Sequence, residues 1–169
     1  YLAFLVAGAT LLLLELLGGD LFGGGAALRN GVFQAVSIMT TAGFATADYT
    51  QWGALSELTL LLLMFVGASA GSTGGSIKVI RHLLMFRIIR RELEQTVHPE
   101  MVAPIRLNQR VVDERTLRAV IVFVLLYVAV FTLGVVGLAV DSARAGVSVD
   151  PFEAIAAAGS TLGNVGPAV

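Results

Sequence analysis

The sequence predicts an all-α membrane protein built from repeated units, each a helix, a short re-entrant helix and a second helix. Three observations carry that expectation. Of 169 residues, 56% are hydrophobic and 14% charged, with a mean hydropathy of +0.84, whereas a soluble domain carries about a quarter charged residues. The apolar residues fall into segments of two lengths, some long enough to cross a bilayer and others reaching only halfway. The order of these segments, with their polar loops and glycine turns, occurs twice.

Residues 1–17 are apolar apart from Thr10 and Glu15 and suit a spanning helix. Residues 18–30 are polar and rich in glycine, which predicts a loop. Residues 31–41 (GVFQAVSIMTT) are apolar but short; such a stretch rises about 16 Å as a helix, roughly half of a bilayer core. Ala42-Gly43-Phe44-Ala45-Thr46 breaks the pattern. Asp48, Tyr49, Gln51 and Trp52 then predict an interfacial loop with its aromatic rings at headgroup depth. A broken helix follows over 55–90, interrupted by GASAGSTGGS (67–76), with Lys78, Arg81, Arg87 and Arg90 in its second half. Residues 92–116 are polar and charged, which predicts a solvated linker. Leu117–Val140 is the clearest span: Arg118 lies at its start and 22 uncharged residues follow (119–140). Residues 141–150 form a polar loop. Pro151 suits a helix's first turn, where its missing N–H is not needed, and it introduces a second short helix over 152–162 that ends in the glycine turn 163–167.

The chain thus divides into one pore unit (1–91), a linker (92–116) and part of a next unit (117–169), and it is expected to be a piece of a longer protein. The start lacks an initiator Met and a basic region, so it does not read as a signal peptide. Gly-Val-Phe-Gln-Ala-Val-Ser (31–37) aligns without gaps to Asp-Pro-Phe-Glu-Ala-Ile-Ala (150–156), and reaching the two glycine turns from there requires about four extra residues in the second copy. Nine of the eleven Lys and Arg residues lie between Lys78 and Arg118. Cytoplasmic loops carry the basic excess, which puts 92–116 inside and both glycine turns toward the outside. Asp20, Asp48, Glu57, Asp141, Asp150 and Glu153 face Arg29 and Arg144 there, and an acidic mouth attracts cations.

The composition excludes several chemistries. Without cysteine there are no disulfides, thiolate metal sites or thiol catalysis. Two histidines, His82 and His98, are too few for most imidazole metal sites, and a net charge of −1 gives no reason to expect nucleic acid. A short helix that enters the membrane and turns back exposes unpaired backbone, which is tolerated only against protein or water. Its C-terminus carries about half a negative charge. Thr41-Ala42-Gly43-Phe44 and Asn164-Val165-Gly166-Pro167 sit at two such ends. Glycine lets successive carbonyls face one axis, and carbonyl rings of this kind replace the hydration shell of K⁺. Either motif alone reads more readily as a surface loop; the pair, in the same membrane order, points to a K⁺-channel-like filter. Gly67, Ser69, Gly71, Ser72, Thr73, Gly74, Gly75 and Ser76 would form a mobile intramembrane loop below it, a candidate gate, with a passive kink or a small-residue packing seam as the plainer reading. Lys78 and Arg81 are expected to snorkel to the cytoplasmic interface.

FQAVSIMTTAGFATADYTQW (33–52), GASAGSTGGSIKVIR (67–81) and TLGNVGP (161–167) together resemble the Trk/Ktr/HKT superfamily of potassium transporters, over essentially the whole chain and closer to Trk than to Ktr membrane subunits. Family members carry four such units around one pore, and the chain resembles the third and the start of the fourth. The resemblance implies K⁺ as the transported ion, bound at Thr41, Ala42, Gly43, Asn164, Val165 and Gly166, with Phe44 closing the first filter segment and 67–76 as the gating loop. It implies no organic cofactor and no enzymatic activity. It further implies a multi-pass plasma membrane protein among lipid, a homodimer, and a cytoplasmic nucleotide-binding regulatory partner of the TrkA-like kind. Asn164 and Pro167 depart from the usual Thr and Phe, which leaves a Na⁺-permeable or Na⁺-coupled relative as an alternative. From other classes come an intramembrane serine hydrolase at Ser69, because Gly67–Gly71 matches G-x-S-x-G, and a non-transporting scaffold.

Overall fold

A computed structural model describes all residues except Asp20, Ala70, Thr73, Pro99, Val102, Gln109 and 167–169. Six α-helices and one small hairpin follow in order: α1 (Leu2–Gly18), α2 (Gly24–Met39), α3 (Ala54–Val66), α4 (Val79–Val97), β1 (Arg106–Leu107), β2 (Arg110–Val111), α5 (Glu114–Ala145) and α6 (Pro151–Gly163). A single 3-10 turn, Tyr49–Gln51, precedes α3. Helices α1, α2 and α3 pack against one another; α6 lies against α5 and α3, and α4 runs beside α5.

The half-length helices reach further back than their apolar runs suggest. α2 begins at Gly24 rather than near residue 31, so only 19–23 of the expected 18–30 loop lacks helix among the described residues. Glycine disfavours a helix by about 1 kcal/mol per residue, but Ala27 and Asn30 are buried, and a Cβ on Gly31 would stand 3.4–3.7 Å from Leu12, Leu13 and Leu16 of α1. Packing overrides propensity there. At its other end, α2 stops at Met39, with Thr40 as its cap. α6 starts at Pro151 behind an Asp150 cap whose carboxylate accepts from the Phe152 N–H at 3.1 Å, while Glu153 accepts from the Asp150 N–H at 3.3 Å. That reciprocal pairing satisfies two orphan donors.

α5 is the one described helix long and apolar enough to cross a membrane by length and composition. Its 32 residues take in part of the loop expected at 141–150, and it closes at Gly146, in the left-handed region at φ 68°. α6 approaches α5 and α3 through small residues: Gly159 lies against Phe65, and Gly134 against Ala158. Phe65 meets Phe131 edge-on at 5.1 Å. Close approach through Gly and Ala is how helices pack where lipid removes the hydrophobic drive.

Two expectations are corrected. The 92–116 linker is not uniformly a solvated coil: α4 continues to Val97, with Arg90 and Glu94 paired at 2.8 Å, and the β1–β2 hairpin is anchored by Arg87 donating to the Arg106 carbonyl. Ile105 joins Leu84, Ile88, Leu117 and Val120 in a buried cluster, so the segment is seated on α4 and α5. Tyr49 and Trp52 do not turn their side chains outward. Their rings are 6% and 3% exposed inside the α1–α2–α3 core, where Trp52 meets Phe22 edge-on at 6.2 Å.

Glu15 links the outer ends of α1 and α3. Its carboxylate accepts from the Ser56 hydroxyl at 2.5 Å and lies where a side chain on Gly53, the α3 cap, would stand. The carboxylate supplies the negative charge that a helix N-terminus favours. Glu15→Ala and Gly53→Ala are each expected to cost about 1.5 kcal/mol, the worth of a hydrogen bond to a charged group. Because both remove one interaction, the double variant should cost little more than either single in equilibrium unfolding.

Candidate pore site

The two short helices end in the same way. After Met39, Thr41 takes φ 59° and Gly43 φ 76°; after Gly163, Asn164 takes φ 52° and Gly166 φ 111°. The hydrogen bonds match as well. Thr41 and Asn164 donate to the Ile38 and Thr161 carbonyls at 3.1 and 3.2 Å, and Ala42 and Val165 donate to the Ser37 and Ser160 carbonyls, both at 2.9 Å. This pairs Thr41 with Asn164, Ala42 with Val165 and Gly43 with Gly166. In this register Ser37 corresponds to Ser160, and neither helix needs an insertion. The alignment of 31–37 with 150–156 is therefore about one helical turn out of step, a shift that leaves the same helix face inward.

The N–H bonds also fix where the carbonyls point. Across a trans peptide the C=O and the next N–H are antiparallel, and no cis bond occurs among the described residues. The Ala42 N–H points back at α2, so the Thr41 carbonyl points away from it. The same holds for Asn164 and α6. The segments meet: a Cβ on Gly166 would stand 3.7 Å from the Gly43 Cα. Two negative helix ends and outward-turned carbonyls thus converge on one place.

Comparisons with known proteins identify the family. The family model described as TrkH, cation transport protein, matches residues 22–169. The chain belongs to that family. Similar proteins include the Trk system potassium uptake protein TrkH of Salmonella typhimurium, 41% identical over 83% of this chain and 28% of the relative, and its namesake from Halomonas elongata, 38% identical over 84% and 28%. The crystal structure of the potassium transporter TrkH from Vibrio parahaemolyticus is similar at TM-score 0.84 and 35% identity, over 98% of this chain and 34% of that one. The chain spans just over a quarter of the length of these curated relatives. Its fold is that of a helical membrane protein made of helix–pore-helix units, and the family is one of transporters rather than enzymes. The serine hydrolase alternative at Ser69 falls with that, and His82 has its Nδ1 3.3 Å from the Lys78 carbonyl in its own helix.

The glycine-rich break between α3 and α4 lies directly against both turns. A Cβ on Gly74 would stand 3.2 Å from the Thr41 hydroxyl, and one on Gly75 would stand 2.9 Å from the Gly163 carbonyl. The buried Ser76 hydroxyl donates to that same carbonyl at 3.5 Å. Within the loop, the Ser72 N–H donates to the Ser69 carbonyl at 3.2 Å and the Gly74 N–H to the Ser72 hydroxyl at 3.1 Å. Ser69 and Gly71 are exposed. Thr73, and Pro167 of the second turn, lie outside the described residues. Beyond the loop, the Arg81 guanidinium stacks over Phe123 of α5 at 3.8 Å, a fixed seat rather than the free reach to the interface expected of it. On the outer side, Asp48 accepts from the Thr50 hydroxyl at 2.6 Å and from Gln51 at 2.9 Å. Those two side-chain bonds, with a further bond from the Thr50 N–H, hold its carboxyl below its ordinary value.

Sequence reasoning overlooked Ser37 and Ser160. The signal was present: SIMTTAG (37–43) and STLGNVG (160–166) each place a serine six residues before the turn's glycine.

Substitutions at two positions test the backbone geometry by equilibrium unfolding of the detergent-purified full-length protein. Asn tolerates the left-handed region, so Asn164→Gly should be near neutral and Asn164→Ala destabilising by about 1–2 kcal/mol. Gly67 sits at φ 64°, ψ −171°, a region open essentially to glycine alone, so Gly67→Ala should cost at least about 1–3 kcal/mol. A Cβ there would also come within 2.6 Å of Ser76.

Proposed function

We propose that the protein of which this chain is a part conducts K⁺ across the cell's plasma membrane, through a filter of backbone carbonyls contributed here by Thr41, Ala42 and Gly43 and by Asn164, Val165 and Gly166. The observation that carries the reading is the matched pair of left-handed turns at two converging helix C-termini. Carbonyls held by the fold replace the ion's water without reorganising, and the helix ends add negative potential where the ion loses solvation. The names of the relatives, potassium uptake proteins, support K⁺ as the ion.

On this reading residues 1–91 form one pore unit, 92–116 the cytoplasmic link, and 117–169 the start of the next unit. The loop from Gly67 to Ser76 is the gate. It lies against both turns, and the Ser76 hydroxyl holds it to the Gly163 carbonyl with one long bond. A homodimeric assembly and a cytoplasmic nucleotide-binding partner of the TrkA-like kind belong to the same proposal, on the strength of family resemblance, with the 92–116 segment as the surface such a partner would reach.

The test is growth of a K⁺-uptake-deficient bacterium on low K⁺ with the full-length protein. Gly43→Ser and Gly166→Ser should each weaken K⁺-over-Na⁺ preference at least about tenfold, or about 1.4 kcal/mol, and slow growth on low K⁺. Unchanged growth and preference in both would refute the filter. Separately, shortening 67–76 should raise basal K⁺ flux in vesicles; unchanged flux would make the segment a kink and not a gate.

A further inference from the structure

We propose that Ser37 is a selectivity-determining positioning residue, which ends the ion-facing row of carbonyls at Gly43 by turning the Phe44 carbonyl away from the ion path. The inference rests on the filter reading above and deepens it.

Ser37 lies on the last turn of α2 and is 4% exposed. Three successive residues of the turn are tied to it. Its carbonyl accepts from the Ala42 N–H at 2.9 Å and the Gly43 N–H at 3.4 Å, and its hydroxyl donates to the Phe44 carbonyl at 2.6 Å. These bonds act in opposite senses. The two N–H bonds aim the Thr41 and Ala42 carbonyls away from α2, since each is antiparallel to the N–H that follows it. The hydroxyl bond does the reverse and draws the Phe44 carbonyl toward α2. An oxygen that accepts at 2.6 Å behind the turn is not aimed at an ion in front of it. The reversal therefore marks where the coordinating row ends, and the side chain responsible is the Ser37 hydroxyl.

A second observation supports the assignment. The matched position in the other copy is again serine. Ser160 is 2% exposed and its carbonyl accepts from the Val165 N–H at 2.9 Å. Its hydroxyl has no partner among the described residues. The residue matched to Phe44 is Pro167, which lies outside the described residues, so the second copy supports the assignment through the shared serine and its carbonyl bond. For packing alone, alanine would fill nearly the same volume with no polar group to satisfy.

The consequence is a shift in selectivity. Without the hydroxyl, the Phe44 carbonyl is free to rotate toward the path, and the outermost site gains an oxygen whose position is not fixed. A filter with a loose oxygen holds the smaller ion with less penalty, so K⁺ preference over Na⁺ falls.

The experiment measures K⁺ and Na⁺ uptake by the full-length protein in liposomes for Ser37→Ala, Ser37→Cys and Ser37→Thr, with the amount of inserted protein determined for each. Alanine removes the hydroxyl. Cysteine keeps the size but donates weakly, and it stands in should the alanine variant fail to insert. Threonine keeps the hydroxyl. The Ala and Cys variants should lose K⁺-over-Na⁺ preference by about fivefold, the factor that corresponds to one hydrogen bond, and Thr should stay within about twofold. An unchanged preference in Ala and Cys overturns the proposal, and so does an equal loss in all three, because volume would then be the cause. Gly43→Ser in the same assay separates the two claims. If it disturbs selectivity while the Ser37 variants do not, the filter stands and the role of Ser37 falls. If it too has no effect, the filter reading itself falls.

Discussion

A backbone that leaves the helix inside a bilayer must find partners for its N–H and C=O groups within the protein, because hydrocarbon offers none. Both short helices of this chain meet that demand in one way. Each turns through a left-handed residue and donates the N–H that follows back to a serine on its own last turn, and in the first turn the Gly43 N–H does so as well. The donors are thereby consumed on the helix side, and planar trans peptides leave the carbonyls on the other side. The requirement to satisfy the backbone and the ability to coordinate a cation thus have a common cause. The remaining architecture serves it: α1 and α3 wedge α2 in place, α5 and α3 do the same for α6, and the Glu15–Ser56 bond ties the outer ends of the first unit together.

Glycine marks the places where another backbone has to come close. At Gly67 it permits a conformation other residues avoid and leaves room for Ser76. At Gly74 and Gly75 it lets the break in the α3–α4 helix lie directly under both turns, where any side chain would push it away. A loop seated this way touches both halves of the proposed filter at once, so moving it frees both together. Arg81, stacked on Phe123, holds the far end of the break against α5.

The parts of the fold written as hydrophobic period and length were legible in the sequence. α5 is built on one uncharged run over 119–140, and the break in the α3–α4 helix is a run of glycine, alanine, serine and threonine that no spanning helix would carry. Features settled by packing were not legible. The start of α2 lies among glycines that local propensity assigns to a loop, and only the contact of Ala27 and Gly31 with α1 makes it helical. Trp52 and Tyr49 have the composition of an interfacial belt, yet a core gap receives them. The repeat shows the same limit. Phe33 and Phe152 invite an alignment that is one turn out of step, and a one-turn shift keeps the helix face, so hydrophobic pattern cannot expose it. The hydrogen bonds of Ser37 and Ser160 fix the register, because a backbone turn admits no such slippage.

In the proposed filter the carbonyls of 41–43 and 164–166 jointly face one cation. Anomalous diffraction from crystals of the full-length protein, grown with Rb⁺ in place of K⁺, locates that cation. Rb⁺ peaks are expected between the two turns, within coordination distance of the Thr41, Ala42 and Asn164 carbonyls, with the Phe44 carbonyl turned away. Rb⁺ ordered elsewhere along the pore, with none between the turns, would contradict it.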